Sequence, residues 1–391
     1  MDFSALNLEP SLETALRSRG IVKAADIQQP VIPAILNEPA ENLLFTAPTG
    51  TGKTLAYLLP IVTLLKRTVL TDKPKGPDLL ILAPTHELCS QIKGELDFLL
   101  AALGLGSSAL LIGSAALSRQ IEFLKKKKPP AVVGNPARVL QLMGMKKLSL
   151  RNLRFLVLDE GDSLLAEELY GETSAVCAQA RDIPARLISC SATFPPKSRD
   201  RLFSLAPSPW NTIEENNLPV LQRNIEHWAF FAEDREKVSF LRSFLSAVKP
   251  RKTLVFCSRG GPAGMILSRL QAHHWAAGGI WGDMDKKARK AAIDLFRNGS
   301  LSILVASDLA CRGLDMEGIS HVVAMDISSD PLTYLHRAGR TGRMGKRGIM
   351  VTIGNEGELR QLARVEKKLG ITVYPKELYG GRVMPCQEDP R

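Results

Sequence analysis

Residues 42–54 read NLLFTAPTGTGKT, a short apolar run leading into a glycine-containing loop, and residues 55–65, LAYLLPIVTLL, continue with helical character. A buried strand, a small-residue loop and a helix in that order form the unit from which parallel α/β sheets are built, so this stretch sets the fold class. Gly50 and Gly52 let the backbone curl so that its amides face phosphate oxygens, and the helix N-terminus adds partial positive charge. Lys53 supplies a full charge, and the Thr54 hydroxyl suits a Mg²⁺ ion. Ala47, Thr49, Gly50, Thr51, Gly52, Lys53 and Thr54 are therefore the candidate residues for a nucleotide's phosphates.

Further β-rich runs follow outward from that loop: LLILA, AVV, FLVLD and RLISC, separated by helical-looking segments, up to about Leu205. The FLVLDEGD run (155–162) places Asp159, Glu160 and Asp162 at the carboxyl end of a strand, where open α/β sheets bind ligands. Asp159 is placed to hold a metal through coordinated water, and Glu160 to activate or orient an attacking water. A Pro- and Asn-rich stretch, APSPWNTIEENNLPV, then breaks the pattern. The alternation resumes with TLVFC, GGIW, ILVAS, HVVAM and IMVTI. The expected division is a domain over 1–208, a linker over 209–222, a second α/β domain over 223–378 and a polar tail over 379–391.

With 391 residues the chain suits two domains with their own cores, and 45% hydrophobic with 23% charged residues is the balance of a globular protein. Lys plus Arg number 51 against 40 Asp plus Glu, and the formal charge of +11 attracts polyanions, nucleic acid first among them. The six cysteines are scattered, without a CxxC pair or a histidine at ligand spacing, which predicts a reducing intracellular compartment and no structural zinc. The adjacent His273 and His274 likewise lack a ligand partner and read as surface residues. No run approaches a membrane span and no targeting segment is visible, so the expected locations are cytoplasmic or nuclear/nucleolar, with a mitochondrion or plastid if a transit peptide has been removed. Lys125 to Lys128, before two prolines, read as a solvated loop, and Phe296 and Trp281 as packing residues.

In motif order, from Phe3 to about Val351, the sequence resembles a DEAD-box RNA helicase. Phe3 and the GIVKAADIQQ segment resemble the family's adenine-reading motif, which assigns the adenine edge to Gln28. PTHEL (84–88) and GNPAR (134–138) resemble RNA-backbone motifs, and Ser191, Ala192 and Thr193 match the SAT motif. In the second half LVFCS, GDMDKKAR, ASDLACRGLD and HRAGRTGR (336–343) match the later motifs. The resemblance implies two tandem RecA-like α/β domains, each a mostly parallel sheet flanked by helices, with the active site in the cleft between them. It makes Arg340 and Arg343 arginine fingers and brings Asp315 toward the ribose. It also assigns RNA contact or coupling to Pro84, Thr85, Gly113, Pro136, Arg138, Asp162, Ser191, Thr193, Arg289, Asp308, Arg312 and His336. Lys53, Asp159, Glu160, Arg340 and Arg343 are then the catalytic set, with Thr54 and Asp159 holding the metal.

The implied function is ATP-dependent local unwinding or remodelling of RNA or RNA–protein complexes, with ATP and Mg²⁺ as cofactors and RNA as partner. A monomer, without membrane attachment and with ribonucleoprotein or ribosome-assembly partners, fits that picture. Several positions depart from the family pattern. Gly161 stands where the family has alanine, which predicts a strand end loosened by about 1 kcal/mol. Ile21, Ala24 and Ala25 alter the adenine motif, and His86, Ser114, Asn135, Ala137 and Lys286 alter the RNA side. Two alternatives stay open: an ATP-dependent RNA clamp with negligible turnover, and a DNA helicase using the same engine.

Overall fold

A computed structural model describes residues 1–37, 41–48, 50–68, 76–206, 209–214, 224–257, 263–282, 284–311, 316, 318–328, 330–342 and 346–386. The chain divides into two compact units, residues 1–215 and 216–391.

The first unit is built on seven strands: β1 (Asn42–Thr46), β2 (Leu79–Leu82), β3 (Ala109–Leu111), β4 (Ala131–Gly134), β5 (Phe155–Asp159), β6 (Arg186–Ser191) and β7 (Trp210–Glu214). They form one parallel sheet in the order β3-β4-β2-β5-β6-β1-β7. Every residue of β1, β2, β4, β5 and β6 is buried, the pattern of strands covered on both faces by crossover helices. This order makes β5, β6 and β1 neighbours, with Asp159 beside Cys190 and Thr46 beside Ser191. Three loops far apart in sequence therefore leave the sheet side by side. Arg186, 4% exposed at the start of β6, donates to the carbonyls of Ala34 and Ile35 at 3.2 and 3.1 Å and to that of Glu41. It thereby caps the end of the helix Gln28–Asn37 and fixes that helix on the sheet.

The second unit has eight strands: β8 (Ile225–Phe231), β9 (Thr253–Phe256), β10 (Ala277–Ile280), β11 (Ile303–Ala306), β12 (His321–Ala324), β13 (Gly348–Gly354), β14 (Val373–Tyr379) and β15 (Arg382–Pro385). Their order is β10-β11-β9-β12-β13-β8-β14-β15, parallel except for the antiparallel β14–β15 pair. The register Ala306, Phe256, Ala324 aligns the ends of β11, β9 and β12.

Three expectations need correction. The stretch 209–222 was expected to be linker, yet Trp210–Glu214 is a strand paired in register with β1; residues 215–222 lie outside the described residues. The tail expected from residue 379 instead completes a hairpin, in which Tyr379 pairs with Arg382 across Gly380 and Gly381, whose φ values of 54° and 74° allow a tight turn matching the strand twist. Lys125 to Lys127 form the last turn of the helix Leu117–Lys127 rather than a loop, where their charges complement the negative helix end. Among the described residues no helix is long and apolar enough to cross a membrane.

Candidate functional site

In the first unit the phosphate loop leaves β1 with the Ala47 amide donating to Ser191 of β6 at 3.1 Å. Gly50 and Gly52 have φ of 81° and 88°, a left-handed conformation that a side chain would oppose. A Cβ on Gly52 would also fall 2.5 Å from Gln28 Nε2, because Gln28 donates to the Gly52 carbonyl at 3.1 Å. Gln28, 3% exposed, accepts from the Ala25 amide at 2.9 Å, so the helix Gln28–Asn37 is tied to the loop through one amide side chain. The Thr51 hydroxyl donates to the Pro48 carbonyl at 2.8 Å. Lys53 Nζ donates to the carbonyls of Ala47 and Pro48 at 2.7 and 2.8 Å. Burial lowers its pKa, against the opposing pull of Cys190 and of the carboxylates Asp159, Glu160 and Asp162. Phe3 is 4% exposed and belongs to the unit's hydrophobic core.

Across from the loop, Asp159 ends β5 and is 4% exposed. Burial raises its pKa, while a hydrogen bond from Tyr57 and the nearby Lys53 charge favour the carboxylate. Glu160 follows with φ 52° and ψ 51°, an uncommon left-handed conformation for a residue with a side chain. Asp162 accepts from the Ser163 amide at 2.8 Å. Ser191, 1% exposed, and Thr193, 9% exposed, follow from β6, with the Thr193 hydroxyl buried and without a hydrogen-bond partner among the described residues.

Gly161 departs from expectation in an instructive way. A Cβ there would lie 2.2 Å from Ser189 Oγ and 3.1 Å from two carbons of the Phe194 ring. The space of the missing methyl is filled from β6 and the SAT segment, so the glycine is matched to its surroundings rather than loosened. Gly161→Ala is expected to destabilise the first unit by about 1–3 kcal/mol through overpacking. Ser189 Oγ is buried without a partner among the described residues, so Ser189→Ala alone should change little. The double variant should recover part of the loss in urea unfolding, and strictly additive effects would show that the two positions do not compete for space.

The RNA-side candidates of this unit leave the adjacent strands β2, β4 and β3. Thr85 caps the helix His86–Ala102, accepting from the Leu88 amide at 3.2 Å, with Pro84 half-buried before it. The Gly113 amide donates to His86 Nε2 at 3.3 Å, and Arg138 donates to the carbonyls of Gly113 and Ala115, each at 3.2 Å. Pro136 opens the helix Pro136–Gly144. The altered residue His86 thus joins Gly113 and Arg138 in one hydrogen-bonded patch.

In the second unit Asp308 opens the helix Asp308–Cys311 after β11, and His336 lies near the end of the helix Pro331–Ala338 after β12. A small pocket brings together Asp308, Cys311, His336, Arg337 and Arg340. Arg340 is 6% exposed, and Arg289 donates to the Ala310 carbonyl at 3.1 Å. Arg337, which the sequence reading left unassigned, is 3% exposed and paired with both Asp308 and Asp326. Thr49, Arg312, Asp315 and Arg343 lie outside the described residues. Sequence reasoning also missed Tyr57, whose spacing of three from Thr54 on one helix was the available signal.

Residues 25–202 match the DEAD/DEAH box helicase family and residues 236–345 the helicase conserved C-terminal domain, so Gln28 falls within the first match and Phe3 before it. The chain is 34% identical to the DEAD-box ATP-dependent RNA helicase CshC of Bacillus cereus, over 96% of this chain and 93% of that protein. It is 32% identical to the probable ATP-dependent RNA helicase YfmL of Bacillus subtilis, over 96% and 97% of the two chains. Its fold superposes with a TM-score of 0.84 on S. cerevisiae Dbp5 bound to RNA and ADP BeF3, at 25% identity and covering 96% and 95% of the two chains. The two parallel-sheet units are therefore the tandem RecA-like domains of this group, and the chain belongs to the DEAD-box ATP-dependent RNA helicase family.

Proposed function

We propose that this chain is an ATP-dependent RNA helicase that binds RNA and locally unwinds or remodels it as ATP is hydrolysed. The observation that carries the reading is the convergence of Lys53, Asp159, Glu160 and the Ser191–Thr193 segment at the ends of three neighbouring strands. Gln28 keeps one Nε2 proton and one Oε1 lone pair beyond its two bonds, a donor and acceptor pair suited to an adenine edge. Lys53 would exchange its two carbonyl partners for phosphate oxygens. Glu160 would orient the attacking water and take its proton, and Arg340 would stabilise charge developing on the transferred phosphoryl group.

The donor set also fits Mg²⁺. Thr54 and Asp159 offer a hydroxyl and a carboxylate, and no cluster of three or more His, Cys, Asp or Glu that could hold a metal occurs among the described residues. A hard cation held by few protein oxygens and completed by phosphates and water matches that donor set, and when bound it would neutralise phosphate charge. On the RNA side, the half-buried Arg138 and the exposed Gly113 loop suit backbone contacts, which implies little base specificity and binding that weakens with salt. A monomer acting on ribonucleoprotein, with ribosome assembly as its setting, is the accompanying expectation.

The test is steady-state ATP hydrolysis with no nucleic acid, with single-stranded RNA and with DNA of the same sequence, alongside displacement of a short RNA strand. RNA-stimulated turnover with ATP-dependent displacement is expected. Joint binding of ATP and RNA without turnover would replace the helicase by a clamp, and equal stimulation by DNA would replace RNA by DNA as the substrate.

A further inference from the structure

We infer that Tyr57 is a positioning residue for the metal-holding pair Thr54 and Asp159, its phenol bridging the helix that carries Thr54 to the Asp159 carboxylate and fixing which lone pairs that carboxylate presents. The inference rests on the assignment of Mg²⁺ to those two residues. Tyr57 lies on the helix Lys53–Arg67, three residues after Thr54, and is 0% exposed. Its hydroxyl donates to Asp159 Oδ2 at 2.8 Å.

The polarity of this bond follows from what each group can do. An ionised carboxylate only accepts, so the phenol proton points to Asp159. The bond holds the Oδ2 lone pair that faces the helix and leaves the others for a cation. The other carboxylate oxygen, Asp159 Oδ1, accepts from the Glu160 amide at 2.9 Å and lies 3.3 Å from Cys190 Sγ. Both oxygens of Asp159 are thus held, one from its own strand end and one from the helix that carries the phosphate loop. Phenylalanine would fill the same space and lose only the bridge. Outer partners that orient metal-binding side chains typically change metal affinity 10–100-fold.

The experiment is a Mg²⁺ titration of fluorescent ADP binding to the full chain, comparing wild type, Tyr57→Phe and Cys89→Ala. Cys89 is buried in the same unit and contacts the Ala83 carbonyl at 3.7 Å, so its truncation controls for lost packing. The Mg²⁺ concentration giving half of the affinity gain should rise about tenfold in Tyr57→Phe and stay put in Cys89→Ala. ADP affinity in EDTA should be equal in all three, which also reports an intact fold. A half-point in Tyr57→Phe within about twofold of wild type, or an equal rise in Cys89→Ala, overturns the bridge. A wild type whose ADP affinity ignores Mg²⁺ would instead sink the metal assignment, and the role of Tyr57 with it.

Discussion

Glu160→Gln is expected to lower the RNA-stimulated ATP turnover about 10²–10⁴-fold, the usual range for a positioned acid–base group, while ATP affinity and stability change little. Glutamine keeps the size of the side chain, and the left-handed backbone at φ 52° and ψ 51° costs the same for either residue. The Glu160 amide continues to donate to Asp159 Oδ1 at 2.9 Å, so the strand end keeps its shape. What disappears is the ability to take a proton from water. The companion variant Lys53→Ala should behave differently. It removes a half-buried charge that faces Asp159, Glu160 and Asp162 and leaves the Ala47 and Pro48 carbonyls without their donor. Its main effect should therefore be weaker nucleotide binding, read as a raised KM or a lost ADP signal. Glu160→Gln turnover within about threefold of a fast wild type would take Glu160 out of the water's path. A wild type as slow as the variant would favour the clamp.

What the sequence revealed and what it hid follow the same physical division. Strands covered on both faces are continuous apolar runs, and β1, β2, β4, β5, β6 and β9 to β13 could be read as such. The edge strand β7 carries only half-buried and exposed residues, and β15 is exposed at all but one position, so the first looked like linker and the second like tail. In β8 the buried His227 interrupts the apolar run, and its cost is met by the Tyr334 hydroxyl 2.8 Å away, a partner 107 residues distant. The site divides likewise. The phosphate loop is contiguous, so its spacing showed its chemistry. The bond from Tyr57 to Asp159 spans 102 residues, and the fit of Gly161 against Ser189 depends on the pairing of β5 with β6. Neither relation has a local signature. The resemblance supplied the order of the motifs, but it treated HRAGRTGR as a set of ligands and gave no reason to separate Arg337 from Arg340.

That separation gives the largest expected effect on stability: Arg337→Ala should cost the second unit about 3 kcal/mol. Arg337 Nε and Nη2 each reach a different oxygen of Asp308 at 2.7 Å, Nη1 donates to the Asp326 carbonyl at 2.8 Å, and Nη2 also reaches Asp326 Oδ1 at 2.9 Å. The guanidinium further lies over the Phe256 ring, 5.4 Å from its centroid. Burial opposes the charge, but Asp308 and Asp326 outweigh it and hold the Arg337 pKa above its ordinary value. Truncation would leave two carboxylates facing one another without a cation. Their side chains are 32% and 25% exposed, so water relieves part of the penalty and the lower end of the 3–5 kcal/mol range for broken buried pairs applies. For a unit of this size the unfolding midpoint should fall by roughly 6–12 °C. Arg337→Lys keeps the charge but cannot form the two-pronged bond, and should recover only part of the loss. Because Asp308 and His336 share the pocket with Arg340, loosening this ion pair should also weaken RNA stimulation at temperatures where the variant remains folded. An Arg337→Ala protein that melts with the wild type in differential scanning calorimetry would mean that water replaces the guanidinium at no cost. Arg337 would then be an exchangeable surface charge, against its 3% exposure and its four hydrogen bonds.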